Sequence, residues 1–158
     1  MTEHDGGPVV LVRAALVAAG VGDTVRTFPA GVPTASAAAE ALGCDLAAIT
    51  NSLIFDLNGE PLLILASGAA RVDTRLVAGH LGEGRIRRAS PEFVLQHTGQ
   101  AVGGVAPVGH PEKIRALLDS SLKKQELLWA GAGDHNSMFS ITYAELRRIT
   151  EARELKVR

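Results

Sequence analysis

Along the chain, segments whose apolar residues have helical spacing are interleaved with segments whose apolar residues have strand-like spacing. The apolar run over 8–19 contains one arginine and ends at Gly20, which predicts a helix with a proline near its start. Alternation over 24–28 predicts a short strand. The alanine-rich stretch over 34–42 begins with a threonine cap and ends at Gly43, which predicts a second helix.

A β-hairpin is the clearest element in the sequence. Two runs rich in β-branched and large apolar residues, 49–57 and 61–66, flank the dipeptide Asn58-Gly59. Asparagine and glycine both tolerate the positive φ angles of a two-residue hairpin turn, so this pair between two apolar runs predicts antiparallel strands.

The rest of the chain continues to interleave helices and strands. We predict helices that begin with the caps Asp73, Ser90 and Thr142, the last of them extending to about residue 152. The remaining predicted strands cover 85–88, 114–119, 126–130 and 138–141. Because one connection is a tight hairpin, we expect a single domain over 1–158 with a mixed α/β (α+β) fold, a curled mixed sheet surrounded by helices. Residues 1–7 are expected to be flexible.

Composition limits the classes of function. The net charge is −1, from 16 basic and 17 acidic residues, so the whole-domain basic excess of a nucleic-acid-binding protein is missing. Any contact with RNA must therefore be local. The acidic N-terminal residues do not resemble a secretory signal, the apolar runs are too short to span a membrane, and Cys44 has no partner for a disulfide. We expect a cytoplasmic protein that makes no membrane contact.

The segment over 99–109, here named the glycine-rich loop, contains four glycines and a proline. Glycine permits positive φ angles and a close approach of ligands to main-chain N–H groups. Such a loop suits the binding of an anion or of a developing oxyanion. The alternative is a purely structural turn, since an isolated glycine-rich motif is weak evidence of function.

Two further segments carry polar groups next to predicted strands. The segment over 131–136, here named the 131–136 turn, contains Asp134 and His135, which could bind a substrate or transfer protons. The tripeptide Thr50-Asn51-Ser52 begins an otherwise apolar strand. For both segments the alternative is that the polar side chains are simply solvated at the surface.

Several other chemistries are unsupported by the sequence. The histidines at 4, 80, 97, 110 and 135 lack metal-ligand spacing, and no phosphate-loop signature is present. Cys44 has no neighbouring base, so we interpret it as a small apolar side chain. The basic clusters at 85–88 and Lys123-Lys124 suit either solvated charge or phosphate contacts.

Five motifs taken in order resemble those of the YbaK/prolyl-tRNA editing family of aminoacyl-tRNA deacylases, which is also called EbsC-like. They are AAEALGC at 38–44, ITNSLIF at 49–55, LASGAARVD at 65–73, TGQAVGGVAPVGH at 98–110 and LLWAGAG at 127–133. The resemblance covers roughly residues 25–152, and the stretch at 98–110 is its most specific part.

The resemblance implies a hydrolase that releases a wrongly attached amino acid, typically alanine or cysteine on proline tRNA, without metal or organic cofactor. Its partners would be the acceptor end of aminoacyl-tRNA and an aminoacyl-tRNA synthetase. The family's Gly-x-x-x-Pro loop corresponds to Gly103–Pro107. The family often has a lysine where this chain has Asn51, which donates hydrogen bonds but carries no charge.

The expected site combines three groups of residues. The catalytic group is Asn51, Gly103, Gly104, Pro107, Asp134 and His135. The substrate-binding group is Phe28, Ser67, Val105, Ala106, Ala130 and Gly131. RNA contacts are expected from Arg85, Arg87 and Arg88, with Arg147 and Arg148 as further candidates.

Two alternatives to an editing deacylase stay open. The uncharged Asn51 is compatible with a non-catalytic module that binds an amino acid or an aminoacyl ester. The second alternative is a hydrolase that acts on small esters without RNA.

Overall fold

A computed structural model describes residues 7–158, so the flexibility expected of residues 1–6 lies outside the described part of the chain. Within 7–158 the chain forms five α-helices and two short 3₁₀ helices. The α-helices are α1 (Pro8–Ala18), α2 (Ala35–Leu42), α3 (Thr74–Leu81), α4 (Pro91–Thr98) and α5 (Tyr143–Thr150). The 3₁₀ helices are Leu46–Ala48 and Ser120–Lys124.

Eight strands in the same range form one sheet. They are β1 (Arg26–Thr27), β2 (Ile49–Leu57), β3 (Glu60–Ser67), β4 (Ile86–Arg88), β5 (Arg115–Asp119), β6 (Leu128–Gly131), β7 (Ser137–Ile141) and β8 (Arg153–Leu155). The strand order is β1-β7-β6-β2-β3-β5-β8, and β4 pairs separately with β2. Parallel and antiparallel pairs both occur, so the predicted mixed α/β architecture is confirmed.

The local signals for helix ends are confirmed. The side chains of Thr34, Asp73, Ser90 and Thr142 each accept a main-chain N–H from the first turn of the following helix. These bonds satisfy donors that have no partner inside the helix. The predicted hairpin is also present, with Asn58 and Gly59 at φ angles of 54° and 89°.

Helix α5 ends earlier than predicted. It stops at Thr150 because Glu151 adopts a left-handed conformation with φ of 52°, which a helix cannot continue through. The chain then forms β8, a strand that was not predicted, and β8 pairs in parallel with β5. Strand β6 begins at Leu128 rather than at residue 126.

Strand β2 is fully paired on one edge and interrupted on the other. Its β3 edge is paired from Thr50 to Leu57. On the opposite edge, β6 pairs only with Ile49 and Thr50, and β4 pairs only from Phe55 onward. The interval over 51–54 therefore has no strand beside it on that edge.

The two faces of the sheet support separate cores. One face packs against α1 and α5, through buried residues that include Leu16, Leu65 and Leu146. The other face packs against α3, through Ile64 and Val77. A third, smaller cluster fixes α2 over the start of β2. Aliphatic packing on both faces holds β2 rigidly on either side of its unpaired interval.

Candidate functional site

A cavity of about 700 Å³ opens beside the unpaired interval of β2. Its walls come from the start of α2, from β2, from the glycine-rich loop and from the 131–136 turn with β7. The lining includes Thr34, Thr50, Asn51, Ser52, Arg71, Arg88, Gly103, Val105, Gly131 and Asp134. The interruption in strand pairing therefore creates the space that the side chains and loops enclose.

The side chain of Gln100 fixes the glycine-rich loop from inside. Gln100 is 1% exposed, its Oε1 accepts the N–H of Ala106 at 2.7 Å, and its Nε2 donates to the carbonyl of Val108 at 3.2 Å. One buried amide thus satisfies a donor and an acceptor on the far side of the loop. Buried polar groups need such partners, so these bonds determine the path of the loop.

Two more side chains of the TGQAVGGVAPVGH motif hold the ends of the loop. The buried hydroxyl of Thr98 accepts the N–H of Gln100 at 3.0 Å and lies 2.7 Å from the carbonyl of Val94. The ring Nε2 of His110 donates to the carbonyl of Ala106 at 2.8 Å. Burial lowers the pKa of His110, an effect that the bond to Ala106 opposes. A neutral imidazole is therefore favoured at this position.

The internal bonds leave several main-chain donors of the loop unused. The N–H of Gly104 donates to the carbonyl of Ala101, and that of Ala106 donates to Gln100. Within residues 7–158, the N–H groups of Val102, Gly103 and Val105 donate to no other group, and all three residues line the cavity. Gly103 and Val105 are the two that lie in the Gly103–Pro107 segment. This pair of donors suits a carbonyl oxygen that gains negative charge.

The glycine-rich loop and the 131–136 turn are pressed together. A Cβ atom on Gly104 would lie 2.7 Å from the Cα of Asp134, and one on Gly103 would lie 2.9 Å from the Cε1 of His135. At Gly104 only glycine permits this approach, because contacts under about 3 Å with main-chain atoms cannot be relieved by a rotamer change. At Gly103 the φ angle of 92° favours glycine. The two loops therefore form one wall.

Strand β2 contributes hydroxyl groups that have no partner. The Oγ1 of Thr50 and the Oγ of Ser52 are buried and form no hydrogen bond within residues 7–158. The two side chains share one face of the strand, while Asn51 between them projects to the other face and also lines the cavity. Buried hydroxyls without partners are uncommon in folded proteins, so this pair calls for a bound group or water.

The profile of the aminoacyl-tRNA editing domain matches residues 29–149, which is most of the chain. The chain belongs to this family. Its fold is also that of a protein described as a candidate trans-editing enzyme for prolyl tRNA synthetase, with a TM-score of 0.90, 36% identity and 96% of each chain covered. The resemblance seen in the sequence is thereby confirmed.

Sequence relatives of the editing domain are of two kinds. The uncharacterized protein YwhH of Bacillus subtilis is 35% identical over 77% of this chain and 78% of its own length. A proline–tRNA ligase of Limosilactobacillus fermentum is 31% identical over 66% of this chain. The match covers only 19% of that ligase, so the editing domain corresponds to a small part of the larger enzyme.

The structure brings five of the expected catalytic and substrate-binding residues to the cavity. They are Asn51, Gly103, Val105, Gly131 and Asp134. Gly131 has a specific role in the wall, because a Cβ there would lie 3.1 Å from the carbonyl oxygen of Val105. His135 is exposed beside Gly103 but is not part of the lining.

Other expected residues support the wall from behind. Gly104, Ala106, Pro107 and Ala130 are buried and do not line the cavity. Ser67 does not line it either, since its N–H donates to Asp119 and its hydroxyl donates to the carbonyl of Ala47. These residues are placed to shape the site rather than to touch a ligand.

Phe28 braces the 131–136 turn. Its N–H donates to the carbonyl of Asn136, and the Asn136 Nδ2 donates back to the carbonyl of Phe28 at 3.0 Å. The guanidinium of Arg26 lies 5.5 Å from the Phe28 ring centroid. Asn136 was not singled out from the sequence, although it stands in the same motif as Asp134.

The arginines near the cavity differ in whether they line it. Arg88 lines the cavity together with Arg71, whereas Arg85 and Arg87 are exposed and lie outside the lining. Arg71, which stands in the LASGAARVD motif, was not among the residues expected at the site. Two arginines in one wall give the mouth a local positive charge despite the near-neutral chain.

Within 7–158, no three acidic, histidine or cysteine side chains come close enough together to hold a metal ion. Cys44 is half-buried, and its pKa is raised by burial and then by the charge of Asp45. No helix in the same range is long and apolar enough to cross a bilayer.

Proposed function

We propose that this editing domain hydrolyses the ester between a small, wrongly attached amino acid and the terminal ribose of tRNA, acting in trans. Alanine or cysteine on proline tRNA is the expected substrate. The observation that carries the proposal is the pair of free N–H groups of Gly103 and Val105 in a loop fixed by Gln100. The reaction belongs where tRNA is charged, so we expect it in the cytoplasm.

The donor pair suits the transition state of ester hydrolysis. Water adds to the ester carbonyl, the oxygen becomes negatively charged, and the carbon–oxygen bond to the ribose then breaks to release the amino acid and restore the hydroxyl. Main-chain donors that are already in position stabilise this charge without rearrangement, and one such donor contributes about 10²–10³ in rate.

The remaining polar groups are proposed to orient the reactants. Asn51 would donate a hydrogen bond to the substrate, while Asp134 and His135 would order the attacking water. No serine or cysteine of the cavity wall has a histidine as hydrogen-bond partner within 7–158, so we expect positioning and the ribose hydroxyl to supply much of the catalysis.

Size selection would follow from the cavity. A volume of about 700 Å³ falls in the range of small-ligand sites and must also hold part of the terminal nucleotide. Exclusion by size alone separates substrates that differ by one methylene by about 10–200-fold. Arg88 and Arg71 would contact phosphates of the acceptor end, which makes binding dependent on salt.

The test is deacylation of a panel of charged tRNAs, which begins with alanyl- and cysteinyl-tRNA for proline and includes correctly charged prolyl-tRNA. We expect selective release of one mischarged amino acid. Asn51→Ala should lower kcat/KM by about 3–10-fold, the effect of one neutral hydrogen bond. Gln96→Ala, on the exposed side of α4, is the matched surface control. Failure to release any amino acid from folded protein would contradict the proposal.

A binding module is the second candidate, and the observation that favours it is the uncharged Asn51 in the cavity wall. Charge-assisted hydrogen bonds are about twice as strong as neutral ones, so Asn51 stabilises less developing charge than a lysine would. Gain of turnover in Asn51→Lys, with tight binding but no turnover in the wild type, would support this function. Turnover of small aminoacyl esters without preference for RNA would instead indicate an RNA-independent hydrolase.

A further inference from the structure

We infer that the α-ammonium group of the aminoacyl ester binds to the unpaired edge of β2, at the carbonyl oxygen of Ser52 and the hydroxyls of Thr50 and Ser52. This inference rests on the proposed function, because it concerns the same ester in the same cavity. It assigns recognition of the amino group to uncharged oxygens on a strand edge.

The register of the sheet identifies which main-chain groups are free. Ile49 accepts a hydrogen bond from Gly68 on the β3 side, and the main-chain groups of alternate residues point to opposite edges of a strand. Odd-numbered residues of β2 therefore face β3, and even-numbered ones face the other edge.

Ser52 is the residue left without a neighbouring strand. Pairing with β6 stops at Thr50, and pairing with β4 resumes at Phe55. The N–H and carbonyl of Ser52 face this edge and so have no strand partner, and within residues 7–158 neither is bonded to a loop or side-chain group. With its buried hydroxyl, Ser52 thus presents three unpartnered polar groups in a residue that lines the cavity.

Thr50 adds an independent observation on the same face. It is only 2% exposed, it lines the cavity, and its Oγ1 has no partner. The strand therefore supplies three oxygen atoms to which no donor is bonded: the Thr50 hydroxyl, the Ser52 hydroxyl and the Ser52 carbonyl. An ammonium group has three N–H donors and no acceptor, so its hydrogen-bonding capacity matches this set.

The opposite wall has the complementary character. The free N–H groups of Gly103 and Val105 are donors, and they suit the ester carbonyl. In an α-aminoacyl ester the nitrogen is separated from the carbonyl carbon by one carbon atom, so a single small group presents donors on one side and an acceptor on the other. The cavity presents acceptors on β2, where the ester would place its N–H donors, and donors on the glycine-rich loop, where the ester would place its carbonyl oxygen.

Asp134 is the competing site for the ammonium, because it is the carboxylate in the cavity wall. Its Oδ1 already accepts the N–H of Asn136 at 2.9 Å, and the residue is exposed, so solvent weakens its attraction for a cation. The hydroxyl oxygens of β2, by contrast, are buried without any partner, so an N–H donor that reaches them provides hydrogen bonds that they lack.

The experiment compares alanyl-tRNA with propionyl-tRNA, which lacks only the amino group, and with lactyl-tRNA, which has a hydroxyl in its place. Each enzymatic rate is divided by the spontaneous hydrolysis rate in the same buffer, which removes the difference in ester reactivity. We expect the ratio for propionyl-tRNA to be about 10–100-fold below that for alanyl-tRNA, with lactyl-tRNA between them. Ratios within threefold for alanyl and propionyl would overturn the inference.

Variants assign the discrimination to β2. Thr50→Val and Ser52→Ala should reduce the preference for alanyl over propionyl, whereas Thr50→Ser, which keeps the hydroxyl, and the exposed control Ser121→Ala should retain it. Loss of the preference in Asp134→Asn, with no change in the β2 variants, would place the ammonium at Asp134 and overturn the inference.

A binding measurement separates this inference from the proposed function. The probe is 3′-amino-3′-deoxyadenosine whose 3′-amino group carries alanine in a stable amide, with the propionyl amide as control. In ¹H–¹⁵N spectra of the full chain we expect the alanyl probe, and not the propionyl probe, to shift the main-chain amide of Ser52. This result without deacylation of any tRNA would contradict only the proposed function. Deacylation without a Ser52 shift would contradict only the inference.

Discussion

The two loops that form one wall of the cavity are held in opposite ways. The glycine-rich loop is fixed from inside by Gln100 and by its flanking residues Thr98 and His110, which are buried or partly buried. The 131–136 turn is fixed from outside, where the exposed Asp134 accepts a bond from within the turn and Asn136 bonds to Phe28. Each loop contributes an alanine to the core, Ala106 and Ala132, so the two loops differ in where their fixing hydrogen bonds lie.

This difference indicates that the two loops suit different tasks in the proposed reaction. Donors for a developing charge must keep their position during the reaction, because reorganisation would cancel their benefit. The interior bonds of the glycine-rich loop meet that need. Side chains that order water or the entering substrate can tolerate exposure, and Asp134 and His135, for which we propose this role, are both exposed.

The largest expected effect is that of Gln100→Ala. It leaves the buried N–H of Ala106 and the carbonyl of Val108 without their partner, and each such loss costs about 1–3 kcal/mol. We expect the free energy of unfolding in urea to fall by about 2–4 kcal/mol, with loss of deacylation. Gln96→Ala, on the surface of α4, should leave both unchanged. A fully stable Gln100 variant would mean that the loop does not depend on interior bonds.

Gly104→Ala tests the contact between the two loops. The new methyl group would lie 2.7 Å and 2.8 Å from main-chain atoms of Asp134, so the loops must separate. Overpacking of this kind costs about 1–3 kcal/mol, which a thermal or urea unfolding curve would detect. Gly79→Ala is the matched control, since nothing lies within 4 Å of its Cβ position and alanine is the better helix former. Equal behaviour of the two variants would contradict a close loop contact.

The pH dependence of stability tests His110. Burial lowers its pKa in the folded state, so the unfolded chain binds a proton more readily and folding favours the neutral ring. Stability should therefore decrease as the pH falls below about 6.5 and level off below the folded-state pKa. The variant His110→Gln should lose this part of the slope, while His80→Gln, on the exposed surface of α3, should keep it. An unchanged slope in His110→Gln would exclude the role of the ring.

The smallest effect on stability is expected for Asp134→Ala. The side chain is exposed, and its bond to the N–H of Asn136 lies within a surface turn. Substitutions of this kind change the free energy of unfolding by about 0.5 kcal/mol or less. A loss of more than 2 kcal/mol would show that the hydrogen bonds of the 131–136 turn stabilise the fold as much as those of the glycine-rich loop.

Local chemistry made much of the fold predictable. The caps Thr34, Asp73, Ser90 and Thr142 and the Asn58-Gly59 turn act within a few residues of themselves, so their signals stand in the sequence. Strand β8 was missed because three residues are too few to reveal alternation. The stop before it uses Glu151 in a left-handed conformation that usually requires glycine.

The cavity itself depends on contacts between distant segments. The motif at 98–110 marked the glycine-rich loop, but the interior role of Gln100 becomes visible only when Ala106 and Val108 are seen folded around it. The interruption in β2 pairing is likewise absent from the sequence, because the run over 49–57 has the same pattern as a fully paired strand. Where β6 and β4 end against β2 is set by tertiary packing.

The pairing of β1 with β7 has a consequence for how the domain is made. Arg26 lies opposite Met138, so more than a hundred residues must leave the ribosome before β1 can pair with β7 beside the 131–136 turn. The β2–β3 hairpin, by contrast, closes over two residues and can form early. A nascent chain would therefore expose the β6 edge of β2 until β6 and β7 have emerged, and only then could the site be completed.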